Sequence, residues 1–259
     1  VSDGANLVEI FSSVQGEGSG VGVPTLFVRL GGCDLRCVWC DSPHTWRPAP
    51  ECRIETARGT GHFRVVPNPV DVDAVVEAAE SLDLAAHRSV SLTGGEPLLQ
   101  PAAVGAIARA LGERGAKIHL ETHGLASDAL TQVIGDVDIV AMDWKLGSDV
   151  RRVGAKRGDP EPVFHDEHER FLEIACRAPR VDVKVVVTPA SRDDELEEMA
   201  LRVARTGPNA TLVVQPVTPC GGVQEAPGAQ RLLAIVAALS RHLADVRLIP
   251  QTHKSYGAL

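Results

Sequence analysis

Short apolar runs rich in β-branched residues recur along the chain, at residues 25–30, 89–93, 117–121, 138–142, 182–187, 211–215 and 246–249. Each has the length of a buried strand. Between them lie stretches of helical periodicity, at 70–86, 102–114, 128–134, 166–177, 193–205 and 229–243. The second of these opens at Pro101 and stops at Gly115, residues that start and end helices for steric reasons. Strands alternating with helices predict a mainly parallel sheet covered on both faces. Seven strands fall one short of a closed eight-stranded barrel, so the count favours a partial barrel of about six βα units, open on one side. A doubly wound sheet is the alternative, and in either case ligands belong at the carboxyl ends of the strands.

Two segments break the pattern. Residues 46–69 carry four prolines and two glycines with no clear period, and are expected to form a surface insertion with room for a small hairpin. The stretch Glu9-Ile10-Phe11-Ser12-Ser13-Val14-Gln15-Gly16-Glu17-Gly18 is polar and Gly-rich, so it is not expected to be a core strand throughout. With no internal repeat, residues 1–259 read as a single domain.

Composition narrows the classes. At 44% apolar residues, the chain can build a substantial core, which excludes wholesale disorder. Its net charge of -8, from 26 basic and 34 acidic residues, argues against a nucleic-acid-coating surface. The longest apolar run, residues 232–239, is far short of the roughly 18 residues a membrane span needs. No export signal is read at the start of the sequence. Of the six cysteines, Cys33, Cys37 and Cys40 lie within eight residues, while Cys52, Cys176 and Cys220 are isolated. Bunching of this kind suits a metal or cluster in a reducing, cytoplasmic setting better than a disulfide scaffold.

Cys33-x-x-x-Cys37-x-x-Cys40 follows the first predicted strand of the parallel sheet by two glycines. Three thiolates on one loop can cap three irons of a [4Fe–4S] cube and leave the fourth free for a ligand. Half of a zinc knuckle or a redox pair are the alternatives, and zinc needs a second close pair that the isolated cysteines do not supply. At the end of the second such strand stands Thr93-Gly94-Gly95-Glu96-Pro97. Its glycines allow close backbone approach to a ligand, and Glu96 offers an acceptor for an ammonium group. An ordinary strand-to-helix turn is the plainer reading of those five residues alone.

Together the cysteine triplet and the Gly-Gly-Glu-Pro turn resemble the radical S-adenosylmethionine (SAM) superfamily. With the Glu9–Gly18 stretch, Gly32-Cys33, Cys40-Asp41-Ser42 and Arg247-Leu248-Ile249-Pro250-Gln251-Thr252-His253-Lys254, the chain resembles the 7-carboxy-7-deazaguanine synthases of that superfamily from about Leu7 to Leu259. The resemblance implies a partial (β/α)6 barrel of the radical SAM type with an N-terminal extension. It implies a lyase that turns 6-carboxytetrahydropterin into 7-carboxy-7-deazaguanine by ring contraction and loss of ammonia, on the way to queuosine and related deazapurines. Cys33, Cys37 and Cys40 would hold the cluster, and the reactive radical would arise on the cofactor, so no side chain is expected to be catalytic. SAM would lie against Trp39, Gly95, Glu96, Asp143, Trp144, Lys145, Gln215, Pro216, Val217 and Thr218. Lys145 could instead be a structural cation.

On the same resemblance the pterin would meet Val14, Gln15, Gly16, Glu17, Arg29, Thr93, His253 and the terminal carboxylate of Leu259, with residues 247–259 folding back as a substrate-contacting tail. For Arg29 an internal salt bridge is the competing reading, because a buried guanidinium needs an acceptor. Ser42 stands where the family usually has the threonine whose hydroxyl binds Mg²⁺, and a serine keeps the oxygen that this hard cation prefers. A flavodoxin-like or other low-potential reductant and a homodimer are also implied; membrane and nucleic-acid partners are not. His44, His62, His165, His168 and His242 are expected to be solvated. A glycyl-radical activating enzyme would share the cluster loop but leaves the N-terminal stretch unexplained, and a non-enzymatic iron–sulfur or zinc carrier leaves the Gly-Gly-Glu-Pro turn unexplained. Replacing Cys33, Cys37 or Cys40 by Ala is expected to abolish the iron–sulfur absorbance of anaerobically purified protein, whereas Ala at Cys52, Cys176 or Cys220 should leave its iron content near wild type.

Overall fold

The structure, a computed structural model, describes residues 4–156 and 158–257. Its strands are β1 (Leu7–Val14), β2 (Pro24–Leu30), β3 (Leu35–Cys37), β4 (Glu51–Glu55), β5 (Phe63–Pro67), β6 (Ser89–Gly94), β7 (Ile118–Thr122), β8 (Ile139–Asp143), β9 (Val150–Arg152), β10 (Arg180–Val187), β11 (Thr211–Pro216) and β12 (Val246–Leu248). The helices are α1 (Val72–Ser81), α2 (Pro101–Gly112), α3 (Ser127–Val133), α4 (His165–Ala175), α5 (Asp193–Thr206), α6 (Ala229–Leu239) and the short α7 (His253–Tyr256). Ten strands form one sheet in the order β12-β11-β10-β8-β7-β6-β2-β1-β4-β5. From β2 to β12 every pairing is parallel. All seven expected strands and six expected helices are present, as the partial barrel requires.

The parallel strands work by period two. Along β2, Leu26, Val28 and Leu30 enter the main core, while Phe27 and Arg29 face the barrel interior. On β7, Ile118 and Leu120 are in the core and His119 and Glu121 face inward; on β10, Val183 and Val185 alternate with Lys184 and Val186 in the same way. One row of each strand therefore packs with helix residues such as Val104, Ile107 and Leu111 of α2, and the other is free to carry chemistry. Helix starts follow local rules: Pro101 opens α2, and the Asp71 side chain accepts the Ala74 N–H at 2.7 Å to cap α1.

Strands β1, β4 and β5 add to the expected set. β1 runs antiparallel to β2, and its apolar Leu7, Ile10 and Phe11 are buried despite their polar neighbours. Residues 46–69, expected as a surface insertion, contain the β4–β5 hairpin; β4 pairs in parallel with β1 and sinks Cys52 and Ile54 into the core. Prolines and glycines at its ends hid this strand, whose burial depends on β1 being beside it. Among the described residues no helix is long and apolar enough to cross a membrane.

If the hairpin belongs to the core, Ile54→Ala should destabilise the protein by about 2–5 kcal/mol, the usual cost of emptying a buried aliphatic site, as read from urea unfolding.

Candidate active site

At the carboxyl ends of the parallel strands lies a cavity of about 380 Å3, within the size range of small-molecule and cofactor sites. The loop after β2 supplies one wall. Cys33, Cys37 and Cys40 all face the cavity, and Cys33, Cys37 and Trp39 rest on a separate small core of Leu35, Leu125, Val150 and Phe164. The short pairing of β3 with β9 braces the same loop. Burial pushes the Cys37 thiol up to about 11, with Lys145 opposing the shift. Trp46 donates its indole N–H to Cys40 Sγ at 3.2 Å. Among the described residues no three His, Cys, Asp or Glu side chains converge on the position of a single ion. Three thiols spread along one wall fit a cluster with three ligated corners, the donor chemistry expected of iron–sulfur sites.

Gly94 and Gly95 turn the chain at the end of β6. Gly94 has φ 136°, and a Cβ there would run into the Leu30 backbone. Both glycines face the cavity. Glu96, expected beside the cofactor, turns inward instead. Its carboxylate accepts from Thr122 Oγ1 at 2.7 Å, His123 N at 2.8 Å and Leu98 N at 2.9 Å, and it is fully buried. Buried charge needs such donors, so Glu96 shapes the turn rather than lining the cavity. His123 in turn reaches Asp34, next to Cys33, at 2.9 Å.

Trp144 departs from expectation for a geometric reason. Asp143 and Lys145 face the cavity, so the residue between them faces away. Trp144 is fully buried, donating to His165 Nδ1 at 3.1 Å and stacking on His168 at 4.8 Å. His168, expected to be solvated, is also fully buried. It accepts the Lys145 N–H at 2.8 Å and donates to Gly124 O at 2.9 Å, and burial holds its pKa well below the usual value. Its place on the Phe171–Leu172 side of α4 outweighs the polar sequence around it. Pro216 likewise stays outside the cavity, while Gln215, Val217 and Thr218 line it.

Arg29 makes the internal salt bridge of the competing reading and also borders the cavity. Its Nε donates to Glu9 at 2.9 Å, yet the side chain lines the cavity. Thr93 Oγ1 donates to Glu121 at 3.2 Å, and Ser91 Oγ and Gln15 Nε2 reach the other oxygen of that carboxylate at 2.6 and 2.8 Å. Val14, Gln15, Gly16 and Glu17 all face the cavity. The loop they begin crosses the barrel: Lys184 pairs with Glu17, and Ser19 N donates to Asp182 at 3.1 Å. Lys184 also lies 3.1 Å from Asp143, which accepts from Lys145 at 2.8 Å. Burial opposes the charge on both lysines, but Asp143 outweighs it and their pKa values rise. Lys145 further lies 4.7 Å over the Trp39 ring.

The tail completes the rim. Thr252 N donates to Gly16 O at 2.9 Å, Gln251 donates to Glu17 at 2.7 Å and Asp41 at 3.0 Å, and Lys254 pairs with Asp41 at 3.1 Å. His253 faces the cavity, as does Ser42, whose hydroxyl donates to Asp41 at 2.9 Å. Leu259 lies outside the described residues. The sequence reading missed Asp41, His119, Glu121, His123, Asp182, Lys184, Gln251 and Lys254 among the cavity residues. Charged residues recurring at alternate positions of apolar strands, as in Asp182 and Lys184, were the available signal.

Residues 27–203 match the Radical SAM superfamily. Over 99% of this chain and 98% of the relative, the sequence is 37% identical to a 7-carboxy-7-deazaguanine synthase of Geobacter sulfurreducens. The chain belongs to the 7-carboxy-7-deazaguanine synthase family of radical SAM proteins. A Methanocaldococcus jannaschii member is 31% identical over 97% of this chain and 99% of its own. The crystal structure of QueE from Escherichia coli shares the fold, with a TM-score of 0.62 at 22% identity, over 97% of this chain and 94% of that one. Membership gives the three-thiol loop of this radical SAM protein its meaning: the family implies a [4Fe–4S] cluster and SAM, and the donor set is suited to that cluster.

A Cβ added at Gly16 would collide with the His253 ring. Gly16→Ala should therefore displace the tail, seen as faster limited proteolysis near Lys254 with the melting temperature of the barrel little changed.

Proposed function

We infer that the protein is a 7-carboxy-7-deazaguanine synthase, a carbon–nitrogen lyase that contracts the ring of 6-carboxy-5,6,7,8-tetrahydropterin with loss of ammonia in 7-deazapurine and queuosine biosynthesis. The observation that carries this reading is the meeting of three sequence-distant features on one cavity: the cysteine loop, the Val14–Glu17 loop and the Gln251–Lys254 tail. The full-length match to relatives of that name supports it. Cluster and SAM together supply reductive generation of a hydrogen-abstracting species.

The chain's own residues bind, orient and exclude water. Cys33, Cys37 and Cys40 hold the cluster. Trp39, Gly95, Asp143, Lys145, Gln215, Val217 and Thr218 surround SAM, with Lys145 kept cationic by Asp143. Glu96 and Trp144 act behind them, holding the turn after β6 and the end of β8. Gln15, Gly16, Glu17, Arg29, Thr93 and His253 enclose the pterin, whose carboxylate finds cations at Arg29 and Lys184 on the cavity wall. The tail, latched to Glu17 and Asp41, closes the site to solvent.

The reading extends to Mg²⁺ at the Ser42 hydroxyl, completed by substrate oxygens and water. It also includes a low-potential reductant such as a flavodoxin, a homodimer and a cytoplasmic setting, which rest on the family resemblance. An anaerobic assay with 6-carboxytetrahydropterin, SAM and a reductant tests the whole: 7-carboxy-7-deazaguanine should form, and its absence with a full iron complement would overturn the assignment. In the same assay turnover should rise several-fold with Mg²⁺. Ser42→Thr should keep that response and Ser42→Ala should lose it.

A further inference from the structure

Among the described residues, three that line the cavity bury a side-chain polar atom with neither a hydrogen-bond nor an ion-pair partner: Trp39, His119 and Gln215. Trp39 and Gln215 are already placed around the cofactor. His119 is not accounted for by anything above.

His119 lies on β7 two residues before Glu121, so both side chains leave the same face of the strand. Its neighbours across the sheet are Ser91 and then Phe27; one step higher come Thr93 and Arg29 beside Glu121. His119 thus sits on the floor of the cavity, beneath the polar row, with Ser91 between it and Phe27, whose ring stacks on Phe11 at 5.1 Å. His119 is only 6% exposed.

Its tautomer follows from Gln15. The Gln15 amide nitrogen donates to Glu121 at 2.8 Å and its oxygen accepts from Glu17 N at 3.1 Å, which fixes the amide orientation. The second amide hydrogen is directed at His119 Nδ1, 3.4 Å away. Nδ1 is then the acceptor, and the proton is on Nε2. Burial lowers the pKa of His119, outweighing Glu121 and Asp182, so the ring is neutral. The outcome is one N–H donor, buried and without an acceptor. Leaving a buried donor unpaired is costly, and the cost is removed when a ligand supplies the acceptor.

We propose that His119 is a substrate-binding and specificity-determining residue, its Nε2–H donating to a carbonyl oxygen or ring nitrogen of the heterocyclic substrate on the cavity floor. This rests on the functional reading above, and it extends the recognition surface of the Val14–Glu17 loop from Gln15 down to the cavity floor. Phe27 supplies the flat apolar surface for the ring, and His119 reads its edge. A ligand of the same shape lacking an acceptor there would leave the donor unpaired and be rejected.

The test compares His119→Phe, which keeps a flat ring without the donor, with His119→Gln, which restores an N–H. KM for 6-carboxytetrahydropterin, kcat, SAM binding and iron content are measured for both and for wild type. His119→Phe should raise the pterin KM about tenfold, the equivalent of one hydrogen bond, with SAM binding and iron unchanged. His119→Gln should recover most of that loss. A wild-type KM in His119→Phe, or equal losses in both variants together with weakened SAM binding, would overturn the assignment. Absence of pterin turnover by the wild type would overturn the functional reading, and this assignment with it.

Discussion

Lys184 stands in the barrel between two carboxylates, Glu17 from the N-terminal loop and Asp143 from β8, and Asp143 is shared with Lys145. Much of the site's arrangement depends on this chain of alternating charge. Removing one partner from such a buried set strands the others, at a cost of about 3–5 kcal/mol. The pairing holds the Val14–Glu17 loop across the barrel mouth, and it turns Lys145 toward Trp39 and the cysteine wall. The Val14–Glu17 loop and the Asp143–Lys145 wall of the cavity are therefore positioned by the same electrostatic contact.

The alternation of β-strands makes this possible without loss of the core. Every inward-facing polar residue on β7, β8 and β10 has apolar neighbours on the outward row, packed with the helices. A polar lining in a barrel is tolerated because each group finds a partner: Arg29 has Glu9, Glu121 has Ser91, Thr93 and Gln15, and Asp182 has Ser19. The unsatisfied atoms that remain in the cavity are the natural places for ligand contacts. β1 serves this economy as well, because its Glu9 allows Arg29 to face the cavity as a paired cation.

The tail is attached by weaker and more exposed contacts. Gln251, Thr252 and Lys254 attach the tail to Glu17, Gly16 and Asp41 through partly exposed groups, and such pairs contribute little each. The barrel is held by burial and the tail by a few polar contacts, so the tail can detach without disturbing the core. Asp41 follows Cys40 directly and also receives the Ser42 hydroxyl, so the tail, the proposed Mg²⁺ position and the cluster loop adjoin one another.

The seven parallel strands and their helices were legible in the sequence because each is a local pattern of apolar spacing with Pro or Gly punctuation. The cysteine triplet, the Gly-Gly-Glu-Pro turn and the two end motifs were legible because their chemistry is written in adjacent residues. Tertiary structure alone decided which side of a strand end each residue took. Trp144 went to the core and its two neighbours to the cavity; Glu96 turned to Thr122 and His123; His168 sank beneath Lys145. It also decided that the 46–69 segment would carry a core strand, since Cys52 and Ile54 are buried only because β1 lies beside them. His119 was not legible as a site residue, and Lys184 was signalled only by its alternation with Asp182, because a polar side chain in an apolar run does not show its role by itself. Its role is set by the groups brought opposite it from 100 or more residues away, such as Gln15 for His119 and Glu17 for Lys184, and those distances close only when the barrel does.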